Sequence, residues 1–132
     1  MFTVRLKNEP GALGRLAGQL ADRGIDIRTL ACGAVGPYGC AVLSTNNDSA
    51  AAEVLRKGRY QFVEGETLNL GVEDRPGELA RLATQLGSAG VNITGVVVLG
   101  RFQGKAELAI SVDSIDAARR ALATAPVGGA FL

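Results

Sequence analysis

Two six-residue phrases hold the groups with which this chain could bind a small molecule. They are Asn8-Glu9-Pro10-Gly11-Ala12-Leu13 and Asp74-Arg75-Pro76-Gly77-Glu78-Leu79. Each stands just before an amphipathic stretch with helical spacing. The first turn of a helix has backbone N–H groups without intrahelical partners and about half a positive charge, which suits a carboxylate. Gly11 and Gly77 lack a Cβ and would let a ligand approach the backbone closely. Pro10 and Pro76 supply the fixed φ that suits a helix start. Asn8 or Asp74 lies beside the corner, and Asp26-Ile27 or Asn92-Ile93 opens the strand that follows the helix. N–H donors together with oxygen acceptors answer the two ends of an amino acid, its carboxylate and its ammonium.

The elements that must position these groups occur twice. A shift of 66 residues lays NEPGALGRLAGQLADRGIDI (8–27) on DRPGELARLATQLGSAGVNI (74–93). In each copy a strand comes first: Phe2, Val4 and Leu6 alternate within 2–7, as Leu68, Leu70 and Val72 do within 68–72. A helix is predicted over 11–23 and 77–89. Leu13, Leu16, Ala17 and Leu20 form one apolar stripe, and Leu79, Leu82, Ala83 and Leu86 form the other. Burial of these six leucines, at roughly 1.5–3 kcal/mol each, should hold the helices down. Gly24 and Gly90, each followed by a β-branched residue, mark the helix ends.

Strands follow to about 34 and 100, then turns at 36–39 and 101–104, then strands at 40–45 and 106–112. Second helices should open at Asp48-Ser49 and Asp113-Ser114, which are good capping pairs. A strand over 59–64 closes the first copy, and the weak segment PVGGAFL (126–132) would close the second. The order is β-α-β-β-α-β, twice. That is the ferredoxin-like arrangement, an α+β fold whose antiparallel sheet carries its helices on one face. The expected domains are 1–65 and 66–132, with so short a junction that they should share a sheet or a core.

Composition narrows the function classes. The net charge is +1 and the apolar fraction 47%. Basic and acidic residues balance in each half, which leaves no electrostatic footprint for nucleic acid or an anionic membrane. The cluster Arg56, Lys57, Arg59 is read as a solvated helix end. No run approaches the ~20 apolar residues of a membrane span, and the chain begins at once with a strand, so a cytoplasmic location is expected. There is no histidine. That removes the usual near-neutral acid–base group, and no catalytic motif, metal-ligand spacing or cofactor-binding motif replaces it. Cys32 and Cys40 flank GAVGPYG and are read as small buried thiols, a disulfide across the hairpin being the alternative.

The corner phrases, with Gly24-Ile25-Asp26-Ile27 and Gly90-Val91-Asn92-Ile93, resemble the ACT domain, a small regulatory module that binds amino acids. The resemblance covers about twenty residues in each half. It implies a ligand at the interface of two side-by-side modules, one offering the loop polar residue and the other the strand residue. Asn8 would then work with Asn92, and Asp74 with Asp26. The second pair is wholly acidic and should favour a cationic group between its carboxylates. Asn8 and Asp74 could instead only shape the corner through Asx-turns. The resemblance implies a non-catalytic amino-acid-binding regulator, without cofactor or metal, that forms a homodimer. Two alternatives stay open. One is a regulatory subunit docked on a metabolic enzyme, because the first half is similar to the start of acetolactate synthase small subunits. The other is a dimerising scaffold without a small ligand.

Overall fold

Strand β1 (Phe2–Lys7) alternates inward and outward, and its inward residues Phe2, Val4 and Leu6 begin the first core. In the computed structural model, which describes residues 1–124, the chain divides into two units, Met1–Glu64 and Gly65–Leu132. The segment 126–132, read above as a weak strand, lies outside the described residues.

The first unit runs β1, α1 (Ala12–Asp22), β2 (Ile27–Val35), β3 (Tyr38–Thr45), α2 (Asp48–Lys57) and β4 (Phe62–Glu64). Its antiparallel sheet has the order β2-β3-β1-β4. Leu16 and Leu20 of α1 and Ala51 and Leu55 of α2 pack with Phe2, Val4 and Leu43 of the sheet in one buried cluster. The second unit runs β5 (Glu66–Glu73), α3 (Glu78–Ser88), β6 (Ile93–Phe102), β7 (Lys105–Val112) and α4 (Ile115–Thr124). Its described strands pair antiparallel in the order β5-β7-β6. Leu82, Leu86, Ala118 and Leu122 cover Leu68, Leu70, Leu108 and Ile110. Each described sheet and each buried cluster draws on one unit only, where a shared sheet or core was expected.

The stripes are shorter than their spacing suggests. Leu16, Leu20, Leu82 and Leu86 are fully buried, but Leu13 is only partly buried and Leu79 is 53% exposed. Their places at the head of the stripe go to Ala12 and Glu78, the first residues of the helices. Gly24 and Gly90 have φ +68° and +75°, and Ile25 and Val91 donate back to Leu20 and Leu86, as a left-handed helix stop requires. The cap of α2 is Asn47, whose Oδ1 accepts from Ala50 N at 3.1 Å, rather than Asp48 or Ser49. Ser114 caps α4 as expected.

The predicted strand 59–64 starts three residues late, at Phe62. Arg59 is taken up in closing α2: its N–H and that of Tyr60 donate to Arg56 O and Leu55 O. This holds Arg59 at φ +59°, a conformation that glycine adopts without penalty and arginine does not.

The two copies keep the 66-residue offset only as far as Val98. There β6 carries a bulge at Leu99, and the partners of Val98 and Gly100 on β7 are Leu108 and Glu107. Beyond the bulge the offset is 67, so Asn47 and Ser114 take corresponding places. Cys32 and Cys40 are free and exposed, not buried; both sit toward the turn end of the β2–β3 hairpin.

Two expected outcomes follow from this packing. Leu82→Ala should cost about 2–5 kcal/mol of stability, because a fully buried side chain leaves a cavity. Arg59→Gly should raise stability by roughly 1 kcal/mol by releasing the left-handed backbone. Denaturant unfolding of the variants checks both.

Candidate functional site

Both corners are built alike from the backbone up. The chain leaves β1 or β5, turns through Pro10 or Pro76, and enters the helix through a left-handed glycine. Gly11 has φ +86° and Gly77 has φ +92°, and each is the N-cap residue of its helix. The proline therefore precedes the cap instead of occupying the first helical position. A Cβ at Gly77 would meet nothing within 4 Å, so the sign of φ demands glycine there, not crowding. No side chain caps either helix, and the leading N–H groups of Ala12 and Glu78 reach only Glu9 O and Arg75 O at 3.3 and 3.4 Å.

Asn8 and Asp74 tie the corner to the neighbouring hairpin turn. Asn8 N donates to Pro37 O at 3.0 Å and its Nδ2 to Gly36 O at 2.9 Å. Asp74 N donates to Gly104 O at 2.9 Å, and its Oδ1 accepts from Arg101 Nε at 3.2 Å. Both residues thus shape the loop, one through an amide and the other through an ion pair.

Asp26 and Asn92 form a second matched pair. Asp26 N donates to Asn46 Oδ1 and Asn92 N to Asp113 Oδ1, both at 3.0 Å. In return Asn46 N and Asp113 N donate to the carbonyls of Asp26 and Asn92 at 3.1 Å. Acid and amide have exchanged sides between the units while the clasp is unchanged. The Asp26 carboxylate is itself paired with Arg28 at 3.3 Å. Asp26 and Asp74 therefore each have an arginine beside them. Ile27 and Ile93, next in sequence, pack against the cores.

The strand register separates the corner from the strand start within each unit. Lys7 pairs with Tyr38 and Ile27 with Thr45, at opposite ends of β3. Seven steps of roughly 3.3 Å put about 23 Å between those ends. Glu73–Lys105 and Ile93–Val112 hold the same relation along β7. Asn8 and Asp26 are thus not brought together within the first unit, nor Asp74 and Asn92 within the second.

The charges at the two corners are arranged differently. In the first unit Glu9 Oε1 binds Arg15 Nη2 at 2.7 Å, and Ala12 stands between them in sequence. In the second unit the corresponding residues are Arg75, Glu78 and Arg81. Two like charges there are bridged by Glu78, which is 5% exposed. Arg75 Nε meets its Oε1 at 2.9 Å and Arg81 Nη2 its Oε2 at 3.7 Å. Oε2 is buried and accepts no hydrogen bond. At the head of α3 this carboxylate also faces the positive end of the helix. Nearby, the hydrogen bond from Lys105 at 2.7 Å holds the Glu73 carboxyl below the ordinary carboxylate range.

Sequence reasoning passed over a cavity of about 480 Å³ in the first unit. It is lined by Arg5, Lys7, Glu9, Arg15, Tyr38, Arg59 and Tyr60, among others. Its residues come from β1, α1, β3 and the α2–β4 loop, segments that only the folded sheet brings together. Tyr60 donates to Gln19 Oε1 at 2.6 Å, and burial pushes its phenol up against the opposing charge of Arg15. No described helix is long and apolar enough to cross a membrane.

A split β-α-β element with a glycine-headed helix and a four-stranded antiparallel sheet defines the class as a ferredoxin-like α+β module. Residues 67–125, within the second unit, match the family model of the ACT domain. No curated protein sequence matches the chain. Among solved structures, the chain is similar to a Bacteroides thetaiotaomicron protein (TM-score 0.70, 18% identity, 98% of this chain and 90% of that one). It is also similar to the regulatory subunit of aspartate kinase from Thermus thermophilus in its ligand-free form (TM-score 0.62, 18% identity, 95% and 92%). The corresponding subunit from Thermus flavus gives a TM-score of 0.61 at 16% identity, over 93% and 90%. At these identities the likeness is one of fold.

Glu78→Ala should destabilise the protein by about 1–2 kcal/mol, since it leaves Arg75 and Arg81 unbridged and removes an acid from the first helical turn. Adding Arg75→Glu, which copies the Glu9–Arg15 arrangement of the first unit, should restore part of that loss. Thermal unfolding of the single and double variants checks the compensation.

Proposed function

We propose that this chain is a non-catalytic regulatory protein made of two ACT modules, and that its ligand is a free amino acid or a similar small carboxylate. The observation that carries the reading is the repeated corner: a left-handed glycine, no side-chain cap, and leading N–H groups without short partners, in both units. The ACT match over 67–125 and the aspartate kinase regulatory subunits among the similar folds support it.

The ligand carboxylate would sit at Gly11-Ala12-Leu13 or Gly77-Glu78-Leu79. Pro10 and Pro76 shape the corner, and Asn8, Asp74 and Arg75 flank it. Glu78 makes the second corner the poorer receptor, because a carboxylate is already at its helix end. The ammonium would go to Asp26 or Asn92 of an adjoining module. A corner and a strand start lie about 23 Å apart within one unit, so a second module would complete the site. Exposed Val35 (92%) and Phe102 (76%) on the edge strands β2 and β6 favour such pairing. They also favour the second reading, a subunit that docks on a biosynthetic enzyme.

A thermal-shift screen against the twenty amino acids at millimolar concentration tests the proposal. A ligand at 100 times its Kd should add ~2.7 kcal/mol of stability. The shift that arises at the first corner should disappear in Asn8→Ala and in Asn92→Ala. If no amino acid stabilises the protein, the amino-acid reading fails and the enzyme-docking or scaffold reading takes its place.

A further inference from the structure

We infer that the cavity of the first unit is a binding site for a small, multiply charged anion, either a phosphate ester or a polycarboxylate. This goes beyond amino-acid binding and does not depend on it. The cavity holds about 480 Å³, within the range of small-molecule sites. Four cationic side chains line it, Arg5, Lys7, Arg15 and Arg59, against the single carboxylate of Glu9. Glu9 is committed to Arg15 at 2.7 Å. Among the described residues, Lys7 and Arg59 have no ion-pair partner. A net charge of +3 converging on one concavity disfavours the empty state, and a polyanion relieves it.

The cations are also positioned. The Arg5 guanidinium lies 3.6 Å from the centroid of the Tyr38 ring, and its Nη1 donates to Gln61 Oε1 at 2.7 Å. Stacking and hydrogen bonding together fix the plane of its fork, which suits paired anionic oxygens. Arg59 is brought to the rim by a backbone at φ +59°. Gly58 lets the wall close, because a Cβ there would stand 2.6 Å from the Tyr60 ring. The left-handed turn that closes α2 thus also presents a charged side chain to the cavity.

The second unit serves as an internal control. Its counterparts of Arg5, Lys7, Ala12 and Tyr38 are Gly71, Glu73, Glu78 and Lys105. There the charges neutralise one another, Glu73 with Lys105 at 2.7 Å and Arg75 with Glu78 at 2.9 Å. Among the described residues, the same scaffold thus carries paired charges in the second copy and a cationic cavity in the first.

Calorimetric titration of the full chain at low ionic strength, with pyrophosphate in one arm and citrate in the other, tests the site. One saturable site per chain is expected. Stronger binding of pyrophosphate assigns it to phosphate esters, and stronger binding of citrate assigns it to polycarboxylates. Lys7→Ala and Arg59→Gly should each weaken binding at least tenfold, while Lys105→Ala in the second unit changes it less than twofold. Arg59→Gly should do so while raising Tm, which separates lost recognition from lost folding. The inference is overturned if neither anion gives a saturable heat. It is equally overturned if Lys7→Ala and Arg59→Gly bind as the parent chain does.

Discussion

The left-handed glycine at the head of α1 and of α3 is the constraint on which each unit depends. A strand that reaches the end of its sheet has to turn back so that its helix lies over the sheet. Gly11 and Gly77 complete that turn, at φ values that a side chain would strain. Once the turn is made, Leu16 and Leu20, or Leu82 and Leu86, fall onto the inward residues of the first strand. The same turn leaves the leading N–H groups without a side-chain cap. The packing of the helix and its uncapped start thus issue from one backbone conformation.

Comparison of the two copies shows which polar residues act as sets. Glu9, Ala12 and Arg15 answer to Arg75, Glu78 and Arg81: reversal of charge at the first position is matched by an acid at the second. Asp26 with Asn46 answers to Asn92 with Asp113, and the backbone clasp is the same. Differences that look like functional divergence in one dimension are compensated contacts in three. What remains uncompensated is the cationic lining of the first unit.

Local pattern made much of this legible. Period-two alternation gave β1 its observed bounds, and the i, i+3, i+4, i+7 leucines placed α1 and α3 within a residue of their ends. The positions that escaped depend on neighbours distant in sequence. Leu79 has the spacing of a core residue but sits on the first turn, where Glu78 takes the inward place. Tyr60 and Gln61 read as strand, yet the backbone there is still engaged in closing α2 and meeting Arg5. The candidate corners were visible because each is a contiguous phrase. The cavity was not, because its cations come from three separate segments that only strand pairing assembles.

The bulge at Leu99 records how the fold handles a change in chain length. One additional residue in β6 would turn every later side chain to the wrong face if pairing continued in step. Housing it as a local kink returns the strand to phase, so Leu108 and Ile110 still meet the core. The β6–β7 ribbon can therefore gain or lose residues near its tip without disturbing the hydrophobic layer beneath. That freedom lets a duplicated module alter its outer contour, and so its choice of neighbours, while its interior remains under the original constraint.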